Sequence, residues 1–265
     1  MSEPAPGLVL AASLDGPADA PVLVLGNWLG TSRAVWAPQL PALARHFRLL
    51  RYELPGHGEP AGPGPAGPYS IGDIGRAVLA LLDRHGIGRA CYAGISIGGM
   101  TGLWLAAHAP ARIAALGLCC TSAYLPPAAA WRDRAALVRA AGMAPLTGPL
   151  LSRWFTPAFA RADPAAVASI AAMLAGTDAD GYAGCCEAIA AMDLRPVLGS
   201  VTAPTLVIAA SEDPATPPAH GAQIARAIAG ARLRVIRGAA HLANVQAPGP
   251  VTSALLGHLT ASVSP

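Results

Sequence analysis

The feature that most restricts what this chain can fold into is a regular alternation of short apolar runs with helix-length segments. Val22–Leu25 ends at Gly26-Asn27, and Arg48–Tyr52 ends at Leu54-Pro55-Gly56-His57-Gly58. Between them, Trp36–His46 carries apolar residues at roughly helical spacing, and a Pro/Gly-rich loop follows over Glu59–Pro68. Ile71–His85 predicts a helix with Ile74, Val78, Leu81 and Leu82 on its apolar face and Gly86 after it. Ala90–Ala93 then reads as a strand, Gly99–His108 as a helix and Ile113–Cys120 as a strand. Parallel strands need crossovers of helix length, so this rhythm predicts an α/β chain with a mostly parallel central sheet flanked by helices.

From Tyr124 to about Asp193 the strand signals stop. Ala128–Ala141, Leu146–Phe155, Pro164–Gly176 and Tyr182–Met192 read as helices separated by Pro, Gly and Asp. Alternation resumes with Thr205–Ala209 (strand), Ala219–Ile228 (helix), Arg232–Ile236 (strand) and Val251–Leu259 (helix). Residues 1–122 and 194–265 are therefore expected to form the core, with 123–193 an inserted all-helical lid. Open α/β sheets place ligands at their carboxyl edge, which is where such a lid belongs.

Composition removes other classes. With 265 residues, 53% of them hydrophobic, the chain can bury one substantial core. The net charge is only +3, every basic residue beside the histidines is Arg, and no dense Arg run exists, so nucleic acid is not an expected partner. Cys91, Cys119, Cys120, Cys185 and Cys186 contain no C-x-x-C and are odd in number, which fits small apolar residues in a reduced interior. Met1–Gly7 lacks the basic start of a signal peptide, and no apolar run reaches spanning length. The expectation is a soluble cytoplasmic protein without membrane contact; homo-oligomerisation is left open.

Gly94-Ile95-Ser96-Ile97-Gly98 matches G-x-S-x-G, directly after an apolar strand and directly before a helix. A serine on so tight a turn has its Oγ pushed clear of the backbone, and the neighbours two residues away must then be small. The backbone N–H of Ile97, at the helix start, would face a developing oxyanion. The bland alternative is a Gly-rich packing turn with an incidental serine.

A serine hydroxyl needs a base, and the base needs an orienting group. Of seven histidines, His46, His85, His108, His220 and His258 fall on or at the ends of predicted helices, and His57 lies in the Pro-Gly-His-Gly turn. His241 alone follows a late strand, which makes it the expected base. The loop after Thr205–Ala209 offers Glu212 and Asp213; Asp213, followed by Pro214, is the expected acid and Glu212 its rival. Asp193, before that strand, reads as a cap or a loop salt-bridge partner. The second oxyanion donor should come from the loop after the first strand, with Leu29 the expected N–H and Trp28 its alternative.

These segments together resemble the 3-oxoadipate enol-lactonases, α/β-hydrolases of the β-ketoadipate branch of aromatic catabolism. The likeness runs from about Val22 to near the end. It is carried by Gly94–Gly102 with Trp104-Leu105-Ala106 and His108-Ala109-Pro110, by Arg153-Trp154-Phe155-Thr156-Pro157, by Asp213 with Ala215-Thr216-Pro217-Pro218, by Ala240–Val245 and by Asn27–Thr31. The resemblance implies the α/β-hydrolase fold and acyl-enzyme hydrolysis of 3-oxoadipate enol-lactone by Ser96, Asp213 and His241, with no metal or cofactor. An acidic small-molecule substrate implies a cation in the pocket: Arg132, Arg134 and Arg153 are candidates, as is Arg33. Trp28, Trp131 and Trp154 are candidate walls. The chain departs from the family at Glu53 (commonly Asp), Pro55 (Arg), Pro60 (Ser) and Trp28 (Ser). Those departures keep open an esterase, another lactonase or a cyclising hydrolase acting on a different substrate, for example in a biosynthetic pathway. A silent binding protein of the same fold is the rival from another class.

Overall fold

In the computed structural model, which describes residues 8–58 and 67–262, six of the strands run parallel and one runs against them. The readings made for Met1–Gly7, for most of the Glu59–Pro68 loop and for Pro60 lie outside the described residues. The strands are β1 (Ala12–Asp15), β2 (Val22–Gly26), β3 (Arg48–Tyr52), β4 (Ala90–Ile95), β5 (Ile113–Cys119), β6 (Thr205–Ala210) and β7 (Arg232–Ile236). Their order is β1-β3-β2-β4-β5-β6-β7. β4 and β6 are buried at every position, as strands covered on both faces must be, and that is why they read as unbroken apolar runs. β1 is the antiparallel edge and was not expected. It is short and half-exposed, with Ser13 and Asp15 on it, so it lacks the apolar signature that marked the others.

The helices, in chain order, are α1 (Leu40–Leu43), α2 (Ile71–Arg84), α3 (Ile97–His108), α4 (Ala128–Ala141), α5 (Ala144–Trp154), α6 (Pro157–Ala162), α7 (Pro164–Ala175), α8 (Ala179–Ala190), α9 (Pro218–Ala227), α10 (Ala243–Gln246) and α11 (Pro248–Leu259). α2 starts where Ser70 and Asp73 form a reciprocal capping box, and it buries Ile74, Val78, Leu81 and Leu82 as the periodicity predicts. Trp36–His46 is not one helix. A 3₁₀ turn over Arg33–Trp36 precedes the short α1, because Pro38 and Pro41 each remove a backbone donor that a continuous helix would need.

Between β5 and β6 the described chain is helical, from α4 to α8. α6 was not expected; Thr156 caps it by accepting from the Phe159 N–H, and Pro157 opens it. The two ends of the block meet. Tyr124 bridges Asp193, and the Leu194 N–H donates to the Ala123 carbonyl at 2.8 Å. Asp193 itself is taken by Arg195 at 2.6 Å. All five cysteines are free and buried. Among the described residues, no helix is long and apolar enough to cross a membrane.

Candidate active site

Ser96 stands between β4 and α3 with φ 53° and ψ −115°, a conformation that costs an L-residue of order 1–3 kcal/mol and needs surrounding structure to enforce it. Its N–H donates to the Cys119 carbonyl at 3.0 Å, and its own carbonyl accepts the Thr121 hydroxyl at 2.6 Å. Glycine is required on both sides. A Cβ on Gly94 would lie 2.3 Å from the Gly98 backbone, and one on Gly98 would lie 2.4 Å from the Gly26 carbonyl oxygen. Beneath the turn, the Tyr52 hydroxyl meets that of Tyr92 at 2.8 Å, and Tyr92 donates to the Gly98 carbonyl at 2.8 Å. The contacts at Gly98 are backbone on backbone and cannot yield by a side-chain rotation. Gly98→Ala should therefore cost about 3 kcal/mol of stability by overpacking, read as a lowered urea midpoint at unchanged m.

Asp213 lies in the turn after β6 and His241 in the loop after β7, 2.7 Å apart from carboxylate Oδ2 to ring Nδ1. Both side chains are almost wholly buried. Asp213 Oδ1 accepts the N–H groups of Ala215 at 2.8 Å and Thr216 at 2.9 Å, and Oδ2 also accepts the Thr216 hydroxyl at 2.7 Å. Burial pushes this carboxyl up, but neighbouring His241 and these donors outweigh it and hold it at about 2. With Nδ1 engaged by Asp213, Nε2 is the nitrogen left to exchange a proton. Glu212, the rival acid, is exposed. The sequence analysis gave Thr216 no role beyond its place in the Ala215-Thr216-Pro217-Pro218 segment that carries the resemblance. The D-x-x-T spacing was the available signal, since it lets a hydroxyl fold back onto the carboxylate.

The loop 27–33 follows β2 and is held from one side by the turn 53–57. Gly30 N–H donates to His57 Nε2 at 2.8 Å, while His57 Nδ1 donates to the Pro55 carbonyl at 2.8 Å. Burial lowers the His57 ring to about 4, so it stays neutral and keeps Nε2 as an acceptor. His57 is thus a structural anchor of this loop. The Leu29 N–H donates to no acceptor among the described residues, and Ile97 opens α3, where N–H groups lack intrahelical partners.

Ser96, His241, Thr216, Trp28 and Leu29 line one cavity. Trp131, Arg134, Leu150, Arg153, Trp154, Tyr182 and Ile189 supply its far wall from the helical block, together with Leu125. Trp28 stands edge-on to Trp154, with centroids 4.6 Å apart, and to His241, at 5.3 Å. The Arg134 guanidinium sits over the Trp131 ring at 4.5 Å. Arg153 is exposed at the rim, where it donates to the Pro214 carbonyl at 3.3 Å. Two expected cations are elsewhere. Arg132 is exposed on α4 and lines no part of this cavity, because adjacent helix positions point about 100° apart, and Arg33 pairs with Glu53 behind the loop 27–33. Tyr182 was not foreseen: its hydroxyl is enclosed, with Arg134 the cation acting on it, and it makes no hydrogen bond of good geometry among the described residues. Among the described residues, no group of His, Cys, Asp and Glu could hold a metal ion.

The family model for the alpha/beta hydrolase fold matches residues 20–248. The chain is 41% identical to 3-oxoadipate enol-lactonase 2 of Acinetobacter baylyi over 88% of its own length and 86% of the relative's. RutD of Stutzerimonas stutzeri, provisionally named a carbamate hydrolase, is 32% identical over 91% of this chain and 92% of its own. The crystal structure of the enol-lactonase from Burkholderia xenovorans LB400 superposes with a TM-score of 0.92 at 41% identity, covering 95% of this chain and 96% of that one. On this match of sequence and fold, the protein is a hydrolase that belongs to the α/β-hydrolase fold family and, within it, to the 3-oxoadipate enol-lactonase family.

Proposed function

We propose that the protein is a serine hydrolase that opens a small acidic lactone, 3-oxoadipate enol-lactone in aromatic catabolism, through an acyl-enzyme on Ser96. The observation that carries this reading is the 2.7 Å Asp213–His241 bond beside a strained serine on the same cavity. His241 Nε2 takes the Ser96 proton as Oγ attacks the carbonyl carbon, and the Leu29 and Ile97 N–H groups receive the oxyanion. The ring C–O bond breaks, and the proton passes to the departing enol oxygen. Water deprotonated by His241 then releases the acid and regenerates Ser96. Every proton and electron pair in this sequence comes from these residues, substrate or water, so the mechanism calls on no cofactor. Residues 123–193 act as a lid over this step, with core residues 1–122 and 194–265 supplying the reacting groups.

Specificity is read from the far wall. Arg134, over the Trp131 ring, offers a planar fork of donors, and the Tyr182 hydroxyl that it acts on adds a neutral one. A carboxylate fits that pair. Arg134→Met should raise KM for the acidic lactone about 10- to 100-fold, the worth of a charge-assisted hydrogen bond, and leave KM for a neutral aryl ester nearly unchanged.

The test of the whole reading is steady-state turnover of 3-oxoadipate enol-lactone alongside p-nitrophenyl acetate and a simple carbamate. Efficient lactone turnover supports it. Aryl-ester turnover without lactone turnover retains the nucleophile and moves the substrate to another ester or lactone. Preference for the carbamate, which the likeness to RutD makes worth including, moves it to that class.

A further inference from the structure

Glu53 is 5% exposed, and it holds both ends of the loop 27–33 at once. Its Oε2 accepts the Asn27 side-chain amide at 3.1 Å at one end of the loop. Both of its oxygens accept the Arg33 backbone N–H at the other end, at 3.1 and 2.9 Å. Asn27 also donates to the Tyr52 carbonyl at 2.8 Å, so the start of the loop is fixed against β3. Room for the side chain is provided by Gly58, where φ is 80° and a Cβ would lie 2.4 Å from the Glu53 carboxyl carbon. The middle of the same loop hangs from His57 through Gly30. Leu29 lies between these anchors.

We propose that the Glu53 carboxylate is a positioning residue for hydrolysis: by gripping Asn27 and Arg33 together it fixes the Leu29 N–H against the developing oxyanion. This rests on the reading of Ser96 as nucleophile and Leu29 as an oxyanion donor. Only the ionised form offers acceptors to every donor that faces it, so a proton on Glu53 removes part of the grip. Among the described residues, the charged groups around it are Arg33, whose Nε lies 3.6 Å away, and Arg51 on β3; His57 is engaged with Pro55 and Gly30 instead. Across the cleft that Glu53 lines, Ser169, Ala172, Met173 and Gly176 contribute no titratable group. Burial pushes the carboxyl up to about 7, against the pull of Arg33 and Arg51, so the grip changes within the working range of pH.

Glu53→Gln freezes the side chain in a form like the protonated acid. Hydrolysis of p-nitrophenyl acetate is measured from pH 5.5 to 8.5 for both proteins, with kcat counted per serine labelled by a fluorophosphonate probe. The ratio of wild-type to variant kcat cancels whatever pH dependence the two proteins share. It should be about tenfold at pH 8.5, less than the loss of a whole oxyanion donor, and should fall to about one at pH 5.5, with KM little changed. Glu53→Asp keeps the charge and should keep the pH-dependent step. A ratio that stays flat with pH, or a Glu53→Asp protein without the step, overturns the inference while leaving the nucleophile intact. A wild-type protein whose Ser96 resists the probe overturns both.

Discussion

Replacing Ser96 by Ala should lower kcat for the enol-lactone about 10⁵- to 10⁶-fold while the fold survives. The residual rate would come from oxyanion donors and binding alone, because the remaining Asp213–His241 pair has no nucleophile to activate. Alanine keeps the Cβ and therefore inherits the strained φ of 53° without the hydroxyl, so the structural demand on Gly94 and Gly98 is unchanged. The measurement is single-turnover hydrolysis, with mass spectrometry of the fluorophosphonate-treated protein. Wild type should gain one adduct on Ser96 and the variant none. A variant that retains a tenth of the activity would mean that another group attacks the carbonyl.

Asp213→Asn should cost about 10⁴-fold in kcat/KM, and the wiring of the acid explains why. Ala215 N–H and Thr216 N–H both donate to Oδ1, so an asparagine must place its single acceptor oxygen there. Its amide nitrogen then faces His241 Nδ1 and donates to it, which forces the ring proton onto Nε2. The base is left in the tautomer that cannot accept the serine proton. The same amide would also point a donor at the Thr216 hydroxyl, now 2.7 Å from Oδ2. The wild-type carboxyl also bears on acid stability, with a definite sign. Its folded value, about 2, lies below the ordinary 3.8, so its contribution is full above that ordinary value and disappears as pH falls toward 2. Fluorophosphonate labelling rates across pH would register the loss of base function directly, and an unaffected rate would sink the role given to Asp213.

How much of this was readable beforehand depended on how strongly burial marks a segment. Strands covered on both faces, such as β4 and β6, consist of apolar residues throughout and were found within a residue or two. The edge strand β1 is half-wet and only four residues long, so no apolar run betrayed it. Trp36–His46 had helical spacing, but periodicity carries no information about the N–H groups that Pro38 and Pro41 lack. At the site, Ser96, Asp213 and His241 could be proposed from the sequence because each follows a strand end, and strand ends are what alternation reveals. The contacts of Tyr182 and the double grip of Glu53 were not, because they join segments far apart in sequence. Arg132, Arg134 and Arg153 looked equivalent in the sequence; only the facing of α4 and α5 separates a wall residue from a rim residue and a solvated one.

The helical block is stitched to the core on two sides of the candidate site. Near His241, the Leu242 N–H donates to the Trp154 carbonyl at 3.1 Å, and the Gln246 side chain joins the Thr156 hydroxyl at 2.6 Å while accepting from the Ala240 N–H at 3.2 Å. On the opposite side, the Asp178 N–H donates to the Gly56 carbonyl at 2.8 Å, and the Tyr69 hydroxyl to the Gly181 carbonyl at 3.0 Å. A cover hinged like a door would tear one seam or the other, dragging the imidazole or the His57 turn with it. Between the seams, Arg139 on α4 pairs with Asp180 and Glu187 on α8, so the helices of the block are also tied to one another. Through the Leu242–Trp154 bond, the position of Trp154 is tied directly to the loop that carries His241.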